Sequence, residues 1–92
     1  IGLVATNARL TKAQAHRMAI MADDGFARAI FPSHTLGDGD TVFSLATGAW
    51  DGQVDISQIG ALAADAMARA IVRAATESTG IPGIPAARDL RK

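Results

Sequence analysis

Two strand signals are too few for a sheet that stands alone, and that shortfall constrains this chain more than any other feature. The run "IGLVATN" (1–7) is short, nearly all apolar, and β-branched at Ile1, Val4 and Thr6. It lacks clear alternation, as expected of a strand covered on both faces. The run "TVFSLATG" (41–48) is rich in β-formers and alternates. Val42, Ser44 and Ala46 fall on one face, and the more apolar Phe43, Leu45 and Thr47 on the other. Each run is followed by a long helical pattern, so the order is strand, helix, strand, helix. A two-stranded sheet is not independently stable. The strands are therefore expected to join strands from another segment or subunit. An apolar content of 49% points the same way, because a chain of 92 residues makes a thin core and leaves much of its surface open. One domain is expected over 1–92, with 81–92 as a loop-like tail.

The helices are readable from their ends. Thr11 and Gln14 have capping-box spacing, and Leu10 with Ala15 fits a hydrophobic staple. The first helix is expected from about Thr11 to Ile30, with Met18, Met21, Ala22 and Phe26 facing inward. Gly25 lowers helix propensity by about 1 kcal/mol relative to alanine, which predicts a close packing partner there. Pro32 ends the helix. The second helix is expected from about Ile56 to Thr79, with Asp55 as N-cap, Gln58 at capping-box spacing and Gly80 as the terminating residue. Its polar residues Asp65, Arg69, Arg73 and Glu77 form a narrow stripe of i, i+4 pairs. The remaining surface is mostly Ala, Leu, Ile, Val and Met. This predicts a helix covered on most sides.

Composition excludes several functions. The net charge is zero, no basic stripe is present and aromatics are few, so a nucleic-acid partner is not expected. Without cysteine there is no thiol catalysis, disulfide or Cys-ligated zinc. Apolar stretches are broken by charge before membrane-spanning length, so no membrane partner is expected. No cofactor and no metal site is expected, and the expected location is cytoplasmic. His16 and His34 lack a Cys, His or acidic neighbour at metal-ligand spacing and read as surface residues. No serine sits in a G-x-S-x-G context. Trp50 reads as a core or interface anchor.

The chemistry-bearing candidates are Asp38 and Asp40, in "TLGDGDTVFSLATG" (35–48). If extended, they face the same way with Cα atoms roughly 6.5–7 Å apart. Their charges then repel and raise one pKa unless a cation lies between them. On composition alone a solvent-exposed turn is the favoured reading. The start of the chain, within a strand and without Met, is expected to reflect either proteolytic processing or a missing upstream piece.

Taken together, "IGLVATNARLTKAQ" and "HTLGDGDTVFSLATG" resemble the L-aminopeptidase/D-esterase family, which includes the nylon-oligomer hydrolases. The resemblance covers nearly the whole chain and matches the family's small C-terminal subunit. It implies an α+β fold, an αββα sandwich whose sheets this strand-helix-strand-helix segment completes with a larger N-terminal subunit cut from the same precursor. It implies a higher homo-oligomer of that unit. It also implies self-cleavage that creates an N-terminal Thr or Ser nucleophile, one or two residues before Ile1 and outside the given sequence. Asp38 and Asp40 match the family's site positions, where aspartate at both resembles the nylon-oligomer hydrolases. By the same resemblance they orient the terminal amine and the nucleophile. The expected function is that of an amide hydrolase of aminopeptidase type. Nylon-oligomer endohydrolysis and acyl transfer on the same fold are alternatives, and a non-catalytic βαβα module is the alternative from another class.

Overall fold

A computed structural model describes residues 1–90. The order is β1 (Gly2–Ala8), α1 (Lys12–Ala29), β2 (Val42–Trp50) and α2 (Ile56–Glu77), followed by a short 3-10 helix, Ala87–Leu90. The chain is α+β, as its pattern predicts. β1 and β2 pair in parallel, with Gly2 opposite Val42 and Thr6 opposite Ala46. The register slips between Thr6 and Ala8. Gly48 lies in the same stretch of β2, with φ +73°, a conformation that favours glycine. The strand continues to Trp50, whose indole lies over Gly52, where a side chain would collide with the ring.

Both helices cover one face of the sheet. Val4, Met18, Ala22, Phe26, Ala63 and Met67 form the core. Among the described residues, Met18 alone is a large side chain almost completely removed from water. On the opposite face, Leu3, Phe43 and Leu45 are 65%, 57% and 52% exposed. The more apolar face of β2 is thus the open one, while Val42, Ser44 and Ala46 turn towards the helices. The chain therefore forms one helical layer on one face of a two-stranded sheet. Its radius of gyration is 15.5 Å, against roughly 12 Å for a compact domain of this length. The shape follows from helices that overhang a sheet only two strands wide.

The N-terminus of α1 forms as its sequence predicts. Gln14 N–H donates to the Thr11 hydroxyl at 3.1 Å, and Thr11 N–H donates to the Gln14 side chain at 2.9 Å. Gly25 marks the crossing with α2: a Cβ there would lie 2.6 Å from the Ala64 carbonyl oxygen and 2.7 Å from Met67 Cβ. Asp55 caps α2 by accepting from Ser57 and Gln58 N–H. Arg69 and Asp65 pair at 3.0 Å, and Arg28 of α1 reaches the same carboxylate at 3.6 Å.

Two expectations for α2 change. The helix ends at Ser78, in extended conformation, and Gly80 does not cap it. Arg88 instead donates to the carbonyls of Thr76 and Glu77, satisfying acceptors that the last turn leaves open. Nor is α2 covered on most sides within this chain, since Leu62 and Val72 are exposed. A groove of about 350 Å³ runs between α2 and β1, lined by Leu3, Val4, Met18, Leu62, Ala63 and Met67, among others. The tail is less loop-like than its composition suggests, with a bridge between Ile81 and Ile84 before the 3-10 turn. Residues 91–92 of the expected tail lie outside the described residues. Among the described residues, no helix is long and apolar enough to cross a membrane.

Candidate active site

The parallel ladder sets the geometry of the candidate site. Gly2 N–H donates to the Thr41 carbonyl at 2.8 Å. The beginning of β1 therefore lies against the residue that follows Asp40. Upstream, the loop folds on itself: Asp38 N–H donates to the Thr35 carbonyl at 2.9 Å, and His34 N–H donates to Asp38 Oδ2 at 2.8 Å. The Asp38 carboxylate thus satisfies a backbone donor four residues earlier in its own loop.

Asp38 and Asp40 are close enough to influence each other's ionisation. The Asp40 carboxyl is raised above its ordinary value, chiefly by a side-chain hydrogen bond with Asp38. Loss of hydration and the Asp38 charge push the same way, and His34 opposes them. The sequence predicts a raised carboxyl from charge repulsion, which here ranks below the hydrogen bond and the loss of hydration. It set His34 aside, however, as a surface residue without acidic neighbours. His34 is exposed, as that reading has it, but acidic groups do neighbour it: Nδ1 lies 3.8 Å from Asp40 Oδ2, and Nε2 lies 3.9 Å from Asp23 Oδ2. Asp23 comes from α1, and only the packing of that helix beside β2 brings it into range. The available signal was the four- and six-residue spacing from His34 to the two aspartates. It becomes informative only once the loop is known to fold back.

His34, Asp38 and Asp40 offer ligand-type atoms within 4.8 Å of one another. All three are exposed, and contacts within the loop account for their closeness, so we assign no metal there. His16 and Asp23 of α1 line a dent of about 190 Å³ with Asp40 and Val42. Ser44 is not available as a nucleophile, because its hydroxyl donates to the Ala15 carbonyl at 2.5 Å and ties β2 to α1. What the arrangement can do is hold two carboxylates, backed by an imidazole, beside the start of a rigid strand. Such a pair can accept hydrogen bonds from an ammonium or a hydroxyl placed there.

The model of peptidase family S58 matches residues 1–88. The chain is 43% identical to an uncharacterized aminopeptidase of Mycobacterium leprae, covering 92% of the chain and 27% of that relative. It is 41% identical to uncharacterized aminopeptidases of Mycobacterium bovis and Mycobacterium tuberculosis, covering 98% of the chain and 30% of each relative. The chain thus spans less than a third of the length of these curated relatives.

Proposed function

Because the chain belongs to peptidase family S58, we propose that it is the small C-terminal part of an amide hydrolase of aminopeptidase type, cut from its precursor by self-cleavage. A Thr or Ser at the new terminus, just upstream of Ile1, serves as nucleophile. The hydrogen bond from Gly2 N–H to the Thr41 carbonyl carries the assignment, because it draws any residue preceding Ile1 alongside Asp40 and Asp38. The printed names of the relatives, aminopeptidases, support the peptide-amide class of substrate.

The chemistry follows from the terminus itself. A free α-amine has an unperturbed pKa near ~8, so its neutral form can take a proton at neutral pH. It accepts the proton of its own hydroxyl, directly or through water, and the hydroxyl oxygen attacks the amide carbonyl. The C–N bond breaks, the leaving amine takes the proton, and an ester to the enzyme remains. Water then cleaves that ester, releases the acid and regenerates the hydroxyl. Asp38 and Asp40 accept hydrogen bonds from the terminal amine and the hydroxyl and fix their orientation. The donors that stabilise the oxyanion come from the larger N-terminal part.

The larger part also supplies what the fold leaves open. It covers the apolar face of Leu3, Phe43 and Leu45 and adds strands beside β1, over the groove under α2. The Asp-Gly-Asp sequence favours a second reading for the substrate, a nylon-type oligomer, on the same mechanism.

Asp38→Ala and Asp40→Ala in the full-length precursor test the assignment. Self-cleavage is followed by intact mass, and hydrolysis with amino-acid p-nitroanilides. Each variant is expected to lose at least about tenfold in one of the two rates, the scale of a misplaced reacting group. N-terminal sequencing of the small fragment is expected to return Thr or Ser immediately upstream of the β1 sequence. Native rates in both aspartate variants would refute the roles given to the pair.

A further inference from the structure

His34 has no part in the chemistry above, yet it touches every acidic group around the candidate site. Its main chain has φ 59°, a left-handed conformation that is uncommon for a residue with a side chain. That conformation is associated with three contacts. The N–H donates to Asp38 Oδ2 at 2.8 Å. Nδ1 faces Asp40 at 3.8 Å, and Nε2 faces Asp23 at 3.9 Å. The imidazole thus stands between the helix and the aspartate pair, with one nitrogen directed to each side. The charged and titratable groups facing it are Asp38 and Asp40 from its own loop and Asp23 from α1, with His16 of α1 lining the adjoining dent.

We infer that His34 is a positioning residue of the hydrolase: it ties the Asp38–Asp40 pair to α1 and, when its imidazole is protonated, places a positive charge between Asp40 and Asp23. Two like charges on one short loop tend to separate and to protonate. A cation against Asp40 counters both tendencies and keeps the carboxylate ionised and aimed at the terminus of β1. The lowering effect of His34 on Asp40 agrees with this arrangement. The inference rests on the reading of Asp38 and Asp40 as site residues.

Asparagine tolerates the left-handed conformation but carries no charge. His34→Asn in the full-length protein therefore separates loop conformation from the imidazole. With an amino-acid p-nitroanilide substrate, H34N is expected to lower kcat by roughly ten- to a hundredfold, the scale of a misplaced reacting group, with KM changed little. The Asp40 midpoint, read by carboxyl-carbon NMR titration, is expected to move to higher pH in H34N, because Asp40 loses its neighbouring cation. Asp23→Ala releases the imidazole from the far side without altering the loop, and is expected to give a smaller fall in kcat. Native kcat with an unmoved Asp40 midpoint in H34N overturns the inference. So does a loss of rate with no movement of that midpoint, which marks a packing role only. If D40A is inactive while H34N is native, the inference fails and the proposed function stands. If D38A and D40A are both native, both fall.

Discussion

Replacing Gly25 with alanine sets two known effects against each other, and the structure decides the sign. On helix propensity alone the change stabilises by about 1 kcal/mol. At the crossing of α1 and α2, however, the new Cβ would lie 2.6 Å from the Ala64 carbonyl oxygen and 3.0 Å from Ala68 N. Ordinary contact begins at 3.4 Å, so the helices must part by close to 0.8 Å, the difference from 2.6 Å. The colliding atoms are backbone and cannot rotate away. Overpacking of this kind costs about 1–3 kcal/mol. Subtracting the propensity gain leaves a net destabilisation of about 0–2 kcal/mol. With a urea dependence of about 1–3 kcal/mol per molar, a loss of 1 kcal/mol lowers the unfolding midpoint by about 0.3–1 M. Gly60 supplies the internal control. A Cβ there would meet mainly the sulfur and methyl of Met21, the far end of a flexible side chain. Gly60→Ala is therefore expected to leave the midpoint unchanged or raise it. Urea unfolding of the full-length protein, followed by far-UV circular dichroism, compares the two. A Gly25→Ala variant as stable as Gly60→Ala, or more stable than the native protein, would refute the close-crossing argument.

Two further outcomes follow from the same structure. Asp38→Asn removes the main cause that raises the Asp40 carboxyl, so the Asp40 midpoint is expected to fall towards its ordinary value, as read by carboxyl-carbon NMR titration. A raised carboxyl in the folded state binds more protons than the unfolded chain does in the window just above the ordinary value. Its contribution to stability is therefore present below that window and lost as pH rises through the folded midpoint, and Asp38→Asn is expected to flatten this acid-side dependence. Thr11→Ala removes the hydroxyl arm of the capping box, leaving the backbone N–H of residue 11 to donate to Gln14, and is expected to cost about 1 kcal/mol, measured by the same urea titration.

The parts of the fold legible in sequence are those fixed by neighbours along the chain. The Thr11–Gln14 box and Asp55 declare helix starts within four residues, and Pro32 closes α1 from just beyond its end. Gly25 declared a close partner without identifying it, because the partner, Ala64 with Met67, lies on the other helix. What sequence did not disclose depends on remote placement. The end of α2 was assigned to Gly80, the ordinary local terminator, whereas Arg88 returns from the tail to serve the last carbonyls. The covering of α2 was read from its composition, yet this chain does not provide it. Asp38 and Asp40 stood out because two carboxylates on one loop are chemically conspicuous. His34 did not, since one of the three acidic groups around it, Asp23, arrives with α1.

The parallel pairing of β1 with β2 also acts as a ruler. With Gly2 opposite Val42, an extended continuation of β1 brings the residue one before Ile1 opposite Asp40, and the residue two before it opposite Gly39. Successive side chains of a strand point to opposite sides. The first of these positions therefore turns towards the helices, as Gly2 and Val4 do, and the second towards the open face, as Ile1 and Leu3 do. A shift of the cut by a single peptide bond would advance the new terminus by about 3.3 Å and exchange the side on which its hydroxyl emerges. For the proposed self-cleavage, the ladder makes the place of the cut a choice between two chemically different sides, one towards α1 and the other towards the exposed apolar face of Leu3, Phe43 and Leu45.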